Sequence, residues 1–357
     1  MEKASSQVGK INTQVERFTM TQFSFFVGVD IASASFMACV GTAPWKLTVK
    51  PTKFDNNEDG FVSFLGWLKE HNLKPEQTVV CMEATGVYSE GLAYFLHASG
   101  YGVAVEPPLN IQRKFPVNAS KTDELDCQYI GEYACRYEDK LSFWKPRAEV
   151  LEQVKVLLTT RQHFSVQVTG HKNALHAVNR KKVSSELAKQ VHQNMIEQIA
   201  KHIKAIDQEI RRLIDIDPTF KQTLLLLLSV PGIGLQLAAH LLIAMQETLD
   251  PKVLAAFIGI CPIKHESGTS VFSAPTSRHY GPSVLRKLLY LAACSVRIHK
   301  KQFQQYFFRK AAEGKHNKLI LNNIQNKILK IACAVVRSKQ PYISNYVSVN
   351  PLVLKNA

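Results

Sequence analysis

Where basic residues are densest, acids are nearly missing. Residues 278–339 hold fourteen Lys and Arg against one acid, Glu313, so almost all of the net charge of +15 sits there. A cationic partner is excluded for this stretch, and a polyanion such as nucleic acid is its natural counterpart. Cysteine is sparse and badly spaced for chemistry. The seven, at 39, 81, 127, 135, 261, 294 and 333, include no C-x-x-C pair. That spacing excludes the common zinc and redox sites and leaves reduced packing residues, as expected of a cytoplasmic protein. Long apolar runs are missing too. "LLLLLSV" (224–230) is the longest, far too short for a bilayer, and the N-terminus lacks a signal-type apolar core. A soluble cytoplasmic protein with no membrane partner is the expectation. What is present is ordinary globular material: 357 residues, 46% hydrophobic and 20% charged, enough for about two or three domains.

After a polar stretch expected to be disordered (1–22), the first 146 residues alternate strand and helix patterns. "FSFFVGVDIA" (23–32), "SFMACVGT" (35–42) and "KLTVKPTKF" (46–54) read as an antiparallel meander. A helix at 58–71, the strand "TVVCMEATG" (78–86), a helix at 88–99, the strand "GVAVEP" (102–107) and a helix at 122–138 follow. The order βββαβαβα is that of an α/β RNase H-like (RuvC-like) domain over 23–146.

Four acids stand at telling places in that order. Asp30 lies near the end of the first strand and Glu83 near the end of the fourth. Asp123 and Asp126 open the last helix, on the face that continues through Ile130, Ala134 and Tyr137. Acids in a first helical turn are also ordinary dipole partners, with Ser120 or Thr122 as cap. Yet four carboxylates converging without cations would repel one another. Two Mg²⁺ ions would relieve this, and a two-metal pair about 3.5–4 Å apart suits phosphodiester chemistry.

Between 147 and 217 there is no proline and one glycine, Gly170. Val154, Leu157, Arg161, Phe164, Val168, His171, Leu175 and Val178 form an a/d seam with two polar interruptions. Ile196, Ile199, Ile203, Ile206, Ile210 and Leu213 answer it after a turn near 179–186, predicting a coiled-coil helical hairpin. The region 218–341 reads as mainly α. Its "LLSVPGIGLQLAAHLL" (227–242) has the form of a helix-hairpin-helix. Gly232, Ile233 and Gly234 would there offer backbone N–H groups to a phosphate without reading sequence. A short tail (342–357) closes the chain.

"VGVDIA", "MEATGVY" and "PLNIQRKFPVNASKTDELDCQYIGEYA" resemble the DEDD domain of the insertion-sequence transposases of the IS110 group and of Piv-type DNA invertases. The resemblance places the family's tetrad on Asp30, Glu83, Asp123 and Asp126. "AAFIGICPIKHESGTSVFSAPTSRHYGPSVLRKLLYLAA" (255–293) is similar to the family's second domain, whose nucleophilic serine falls on Ser267, before a glycine in what reads as a loop. "RKAAEGKHNKLILNNIQNKILKIACAVV" (309–336) matches the closing helices, with Lys315 on the glycine-lysine step. One departure stands out. Where the family carries a basic pair before glycine, this chain has "RHYG", with Arg278 displaced, though Arg286 and Lys287 of "LRK" keep their places.

The resemblance implies a transposase that cuts and rejoins donor and target DNA through Ser267, assisted by Mg²⁺ at the tetrad. It also implies a bridge-type guide RNA and homodimers that pair into a tetramer. A RuvC-like junction nuclease using metal-activated water, and a non-catalytic nucleic-acid-binding protein, are the rival readings.

Overall fold

The computed structural model describes residues 23–112, 122–267, 271–277 and 281–344; for 263–267 and 271–276 it describes the backbone alone. The expected disordered extension (1–22), most of the tail and Arg278 lie outside the described residues. The chain divides into two compact units, Met1–Pro146 and Arg147–Ala357.

The first unit is built on a five-stranded mixed sheet. Its strands are β1 (Phe25–Ile31), β2 (Ser35–Thr42), β3 (Lys46–Asp55), β4 (Thr78–Glu83) and β5 (Gly102–Glu106), in the spatial order β3-β2-β1-β4-β5. β1 runs antiparallel to β2 and parallel to β4, and β5 extends the parallel half. β1 and β4 are central and read as continuous apolar runs because both faces are covered. β3 alternates exposed and half-buried residues, with Lys46, Lys50, Lys53 and Pro51 marking it as an edge.

On one face, α1 (Glu58–Glu70) and α2 (Glu90–Ala98) pack Phe61, Phe64, Leu68, Leu92 and Leu96 against Val27, Val29, Val80 and Met82. Asn57 starts α1, its Oδ1 accepting from Gly60 N at 2.8 Å. On the other face, α3 (Pro108–Gln112) and α4 (Asp123–Arg136) set Ile111, Ile130, Tyr133 and Ala134 against Phe26, Val79, Cys81 and Ala104.

The second unit is mostly helical. Two 31-residue helices, α5 (Glu149–Asn179) and α6 (Glu186–Ile216), run antiparallel. At their base Leu151, Val154, Leu158, Ile210, Leu213 and Ile214 enter the core of the whole unit. Farther out, Arg161 grips Asp207 in a bidentate pair (2.6 and 3.0 Å), and His171 Nδ1 meets His192 Nδ1 at 3.0 Å. The two polar interruptions of the seam are thus paired across it, fixing its register.

α7 (Pro218–Ser229), α8 (Leu235–Ala244), α9 (Pro251–Ile258), α10 (Ser283–His299), α11 (Lys301–Ala312) and α12 (Asn317–Ser338) complete the unit. By length and composition α12 could cross a membrane. Here Ile320, Ile324, Ile328, Leu329 and Ala332 put its apolar face in the core.

One element departs from expectation. A hairpin of β6 (Pro262–Ser267) and β7 (Val271–Ser277) interrupts the helices, so Ser267 ends a strand instead of lying in a loop. Two short β-capable runs flank the small polar residues "GTS", and their cross-strand pairing, with Ser267 opposite Val271, decides the matter.

Candidate active site

Parallel pairing sets Val29 of β1 opposite Met82 of β4, so Asp30 and Glu83 follow next on adjacent strand ends. Their direction comes from alternation. Phe26 of β1 and Val79 and Cys81 of β4 belong to the core beneath α4, which puts Gly28, Asp30 and Glu83 on the same side.

α4 lies against that side because two glycines permit it. A Cβ on Gly28 would overlap the Cys127 carbonyl and the Gly131 amide, and a Cβ on Gly131 would overlap the Trp45 ring. Helix and strand backbones therefore touch where any larger residue would hold them apart. Thr122 caps the helix, its Oγ1 accepting from Leu125 N at 3.3 Å. Asp123 is exposed and Asp126 half-buried in the first turn. The capping signal of the sequence is real, and both acids lie in the turn that it caps.

Electrostatics report the same proximity. The Cys127 thiol is pushed far up by its hydrogen bond with Cys39, by burial, and by negative charge on Cys39 and on Asp30. Asp126 immediately precedes this cysteine. Among the described residues, no three His, Cys, Asp or Glu side chains form a ready metal cage. The fold brings Asp30 and Glu83 to neighbouring strand ends under α4 without closing all four acids into one group. The donors are all carboxylate oxygens, the ligand type that suits a hard divalent ion.

A fifth carboxylate went unread in the sequence. Glu106 ends β5 in register with Glu83 and is only 2% exposed. It accepts from Asn110 Nδ2 (3.1 Å), Tyr133 OH (3.3 Å) and Ser142 N (3.1 Å). Burial and the Glu106 charge push the Tyr133 hydroxyl up to about 12. Glu106 thereby fastens α4 to the strand end. Its signal was available: "GVAVE", like "TVVCME", is an apolar strand closed by an acid.

In the second unit, side chains from two helices hold the approach to β6. Arg286 Nη1 donates to Ile258 O at 3.0 Å, while Asn322 and Asn326 Nδ2 both donate to Ile260 O, at 3.0 and 3.2 Å. Gly281, at φ 93°, sits where a Cβ would overlap the Phe257 carbonyl. The strand that ends at Ser267 thus leaves from a fixed point. The asparagines, four apart on α12, were not singled out from sequence.

The "PGIG" turn serves packing as much as exposure. Gly232 presses on Val296 and Ala292 of α10, and Ile233 is 6% exposed, so its side chain belongs to the core. Gly234 precedes α8 with open space around it. Lys287 and Lys315 are exposed and Arg286 is half-buried.

Comparison with known proteins decides what kind of chain carries these features. Residues 27–183 match a transposase family model of the IS110 type, and residues 224–307 match the family described as "Transposase IS116/IS110/IS902 family". The chain belongs to the IS110 family of transposases. It is accordingly an enzyme of DNA recombination, with DNA as substrate, in a family whose acid signature implies a divalent metal. The "Pilin gene-inverting protein" of Moraxella bovis is 28% identical over 324 residues, covering 89% of this chain and 97% of that one. Its namesake from Moraxella lacunata is 28% identical over 323 residues with the same coverage.

Proposed function

We propose that this IS110-family chain cuts DNA strands by forming a phosphoserine link and rejoins them by reversing it, on an RNase H-like domain whose acids hold divalent metal. The observation that carries the reading is the placing of Asp30 and Glu83 at adjacent strand ends beneath α4, the helix whose first turn holds Asp123 and Asp126. The strand order β3-β2-β1-β4-β5, antiparallel then parallel, supports the RNase H-like assignment.

Asp30, Glu83, Asp123 and Asp126 would together hold two Mg²⁺ ions. Such ions, when bound, offset negative charge developing on a phosphate under attack. Gly28 and Gly131 let α4 come close, and Glu106 holds it through Tyr133. The Ser267 hydroxyl attacks the phosphorus of a phosphodiester. An Oγ–P bond forms, the bond from phosphorus to one deoxyribose oxygen breaks, and that oxygen leaves as a hydroxyl while the serine gives up its proton. In rejoining, a strand-end hydroxyl attacks the phosphoserine and frees Ser267. Bond energy is conserved, as hydrolysis would not allow.

Gly234, Arg286, Lys287, Lys315 and Arg278 are the proposed nucleic-acid contacts. The helix-hairpin-helix would work through the Gly234 end, and the same basic surplus would accept a bridge RNA as readily as DNA. The two long helices act as a coiled-coil arm between subunits. Leu187, Val191 and Met195 lie exposed at four-residue spacing on α6, outside the paired seam, which supports contact with a second copy. Dimers would then join as a tetramer, with Ser267 of one subunit serving the acids of another.

The test is a denaturing gel of wild-type protein with end-labelled DNA. A protein–DNA adduct that survives denaturation is expected. Free nicks without adduct would make the protein a metal-dependent nuclease instead, and uncut DNA would leave only binding.

A further inference from the structure

α11 has two faces with different chemistry. Phe303 and Phe307 are 4% and 6% exposed, and Tyr306 is half-buried, with Lys327 5.2 Å and Arg309 5.7 Å from its ring. Phe308 faces the other way, 63% exposed, its ring meeting Phe307 edge-on at 6.0 Å. A single exposed phenylalanine is common in isolation. Its surroundings distinguish this one.

One turn earlier stand Gln304 and Gln305, both exposed, and two turns earlier exposed Lys301. One turn later the small Ala311 and Ala312 leave the ring clear. Glu313, the sole acid of residues 278–339, is taken up by Lys310, whose Nζ lies 2.7 and 3.0 Å from its two oxygens. Exposed Lys300 and Lys301 have no acid near them in sequence, and Lys315 and Lys318 share the one nearby carboxylate, Glu313, with Lys310. A protein partner would call for a wider apolar patch. One aromatic ring beside two planar amides, framed by cations, matches an unstacked base on a phosphate backbone.

We propose that Phe308, with Gln304 and Gln305, forms a stacking platform for an unpaired base of single-stranded DNA. The inference rests on the DNA-recombinase reading. Strand exchange exposes unpaired bases beside the cut, and a platform there holds a free end while charge holds its backbone. Lys301 and Lys315 supply the sequence-independent hold. The ring supplies a preference for single strands over duplex, since a paired base keeps its faces inside the stack.

The experiment uses the full chain and a short DNA oligonucleotide with one 2-aminopurine, compared with its duplex and with the same sequence as RNA. Phe308→Ala should weaken single-strand binding about tenfold, remove the stacking-induced quench, and change duplex affinity less than twofold. The slope of log K against log salt should stay the same, because no cation is removed. Phe308→Trp should restore the quench. An equal loss on duplex, no loss at all, or a loss confined to RNA would overturn the proposal. If the wild-type chain binds neither DNA form, the recombinase reading falls, and the platform with it. If wild type binds both and Phe308→Ala is indistinguishable from it, the platform alone falls.

Discussion

The two units of this chain differ most in charge. Residues 1–146 carry fourteen Lys and Arg against seventeen acids, whereas residues 147–357 carry thirty against twelve. The slightly acidic unit is a covered sheet whose strand ends gather carboxylates. The basic unit is a helical body with its acids largely spent: Asp207 on Arg161, Glu209 on Arg212, Glu313 on Lys310. One unit sets acids at the ends of neighbouring strands, Asp30, Glu83 and Glu106, where a divalent cation would be welcome. The other spreads positive charge over a surface, which suits a polyanion. On the proposed reading, metal-assisted chemistry and nucleic-acid holding fall to separate units, so each should be open to damage without the other.

The largest effect should come from closing the gap that seats α4. Gly28→Val drives a branched side chain into the Cys127 carbonyl and the Gly131 amide, and should cost more than about 3 kcal/mol. Thermal unfolding with limited proteolysis should find the first unit lost and residues 147–357 still protected. Loss of both units together would end the claim that they are separable.

Next in size is the charge of the second unit. Deleting residues 278–357 would be a poor test, because α10, α11 and α12 supply much of that unit's core. Replacing the exposed Lys300, Lys301, Lys315 and Lys318 with Gln leaves the core intact. The slope of log K against log salt on duplex DNA should become shallower by up to about 0.9 for each phosphate that is no longer neutralised. Lys50→Gln with Lys53→Gln, on the edge strand of the first unit, should leave that slope alone. Equal effects from both sets would mean that the footprint covers the first unit as well.

The smallest expected effect is at Tyr133. Tyr133→Phe removes one hydrogen bond to buried Glu106, worth about 1 kcal/mol of stability. Because its pKa in the folded chain is raised from 10 to about 12, the tyrosine's contribution is full below pH 10. It fades as pH climbs toward about 12, since the unfolded chain gives up that proton first. The stability gap between wild type and Tyr133→Phe should therefore narrow across that window. A constant gap would place the bond elsewhere.

Much of this was legible in the sequence, and the misses have physical causes. Strands such as "FFVGVDI" and "TVVCME" announce themselves by apolar runs, and α1 and α4 by caps and periodicity. The long helices follow from a seam free of proline. Asp30 and Glu83 could be placed because parallel neighbours end together. The β6–β7 hairpin was not visible, since two short strands broken by Pro275 resemble loop until their pairing is known. Glu106 was passed over because its one signal was the acid closing an apolar strand, and the neutral donors that hold it lie far off in sequence or carry no charge to mark them. Ile233 was expected to offer its backbone N–H to a phosphate; its side chain packs in the core and that N–H donates to Val230 O at 3.1 Å, so packing is the role the structure shows. Asn322 and Asn326 act on a carbonyl more than sixty residues away, a relation that no local pattern carries.

In the proposed reaction, acids of the first unit act with a serine of the second unit of another subunit. The most direct test mixes two inactive proteins, Asp126→Asn and Ser267→Ala, on end-labelled DNA and resolves the products on a denaturing gel. Each variant alone should bind DNA like wild type and form no adduct. The mixture should regain part of the cleavage, with label on the Asp126→Asn chain, the one that keeps its serine. An adduct formed by pure Ser267→Ala protein would contradict the account, because the nucleophile would then lie elsewhere.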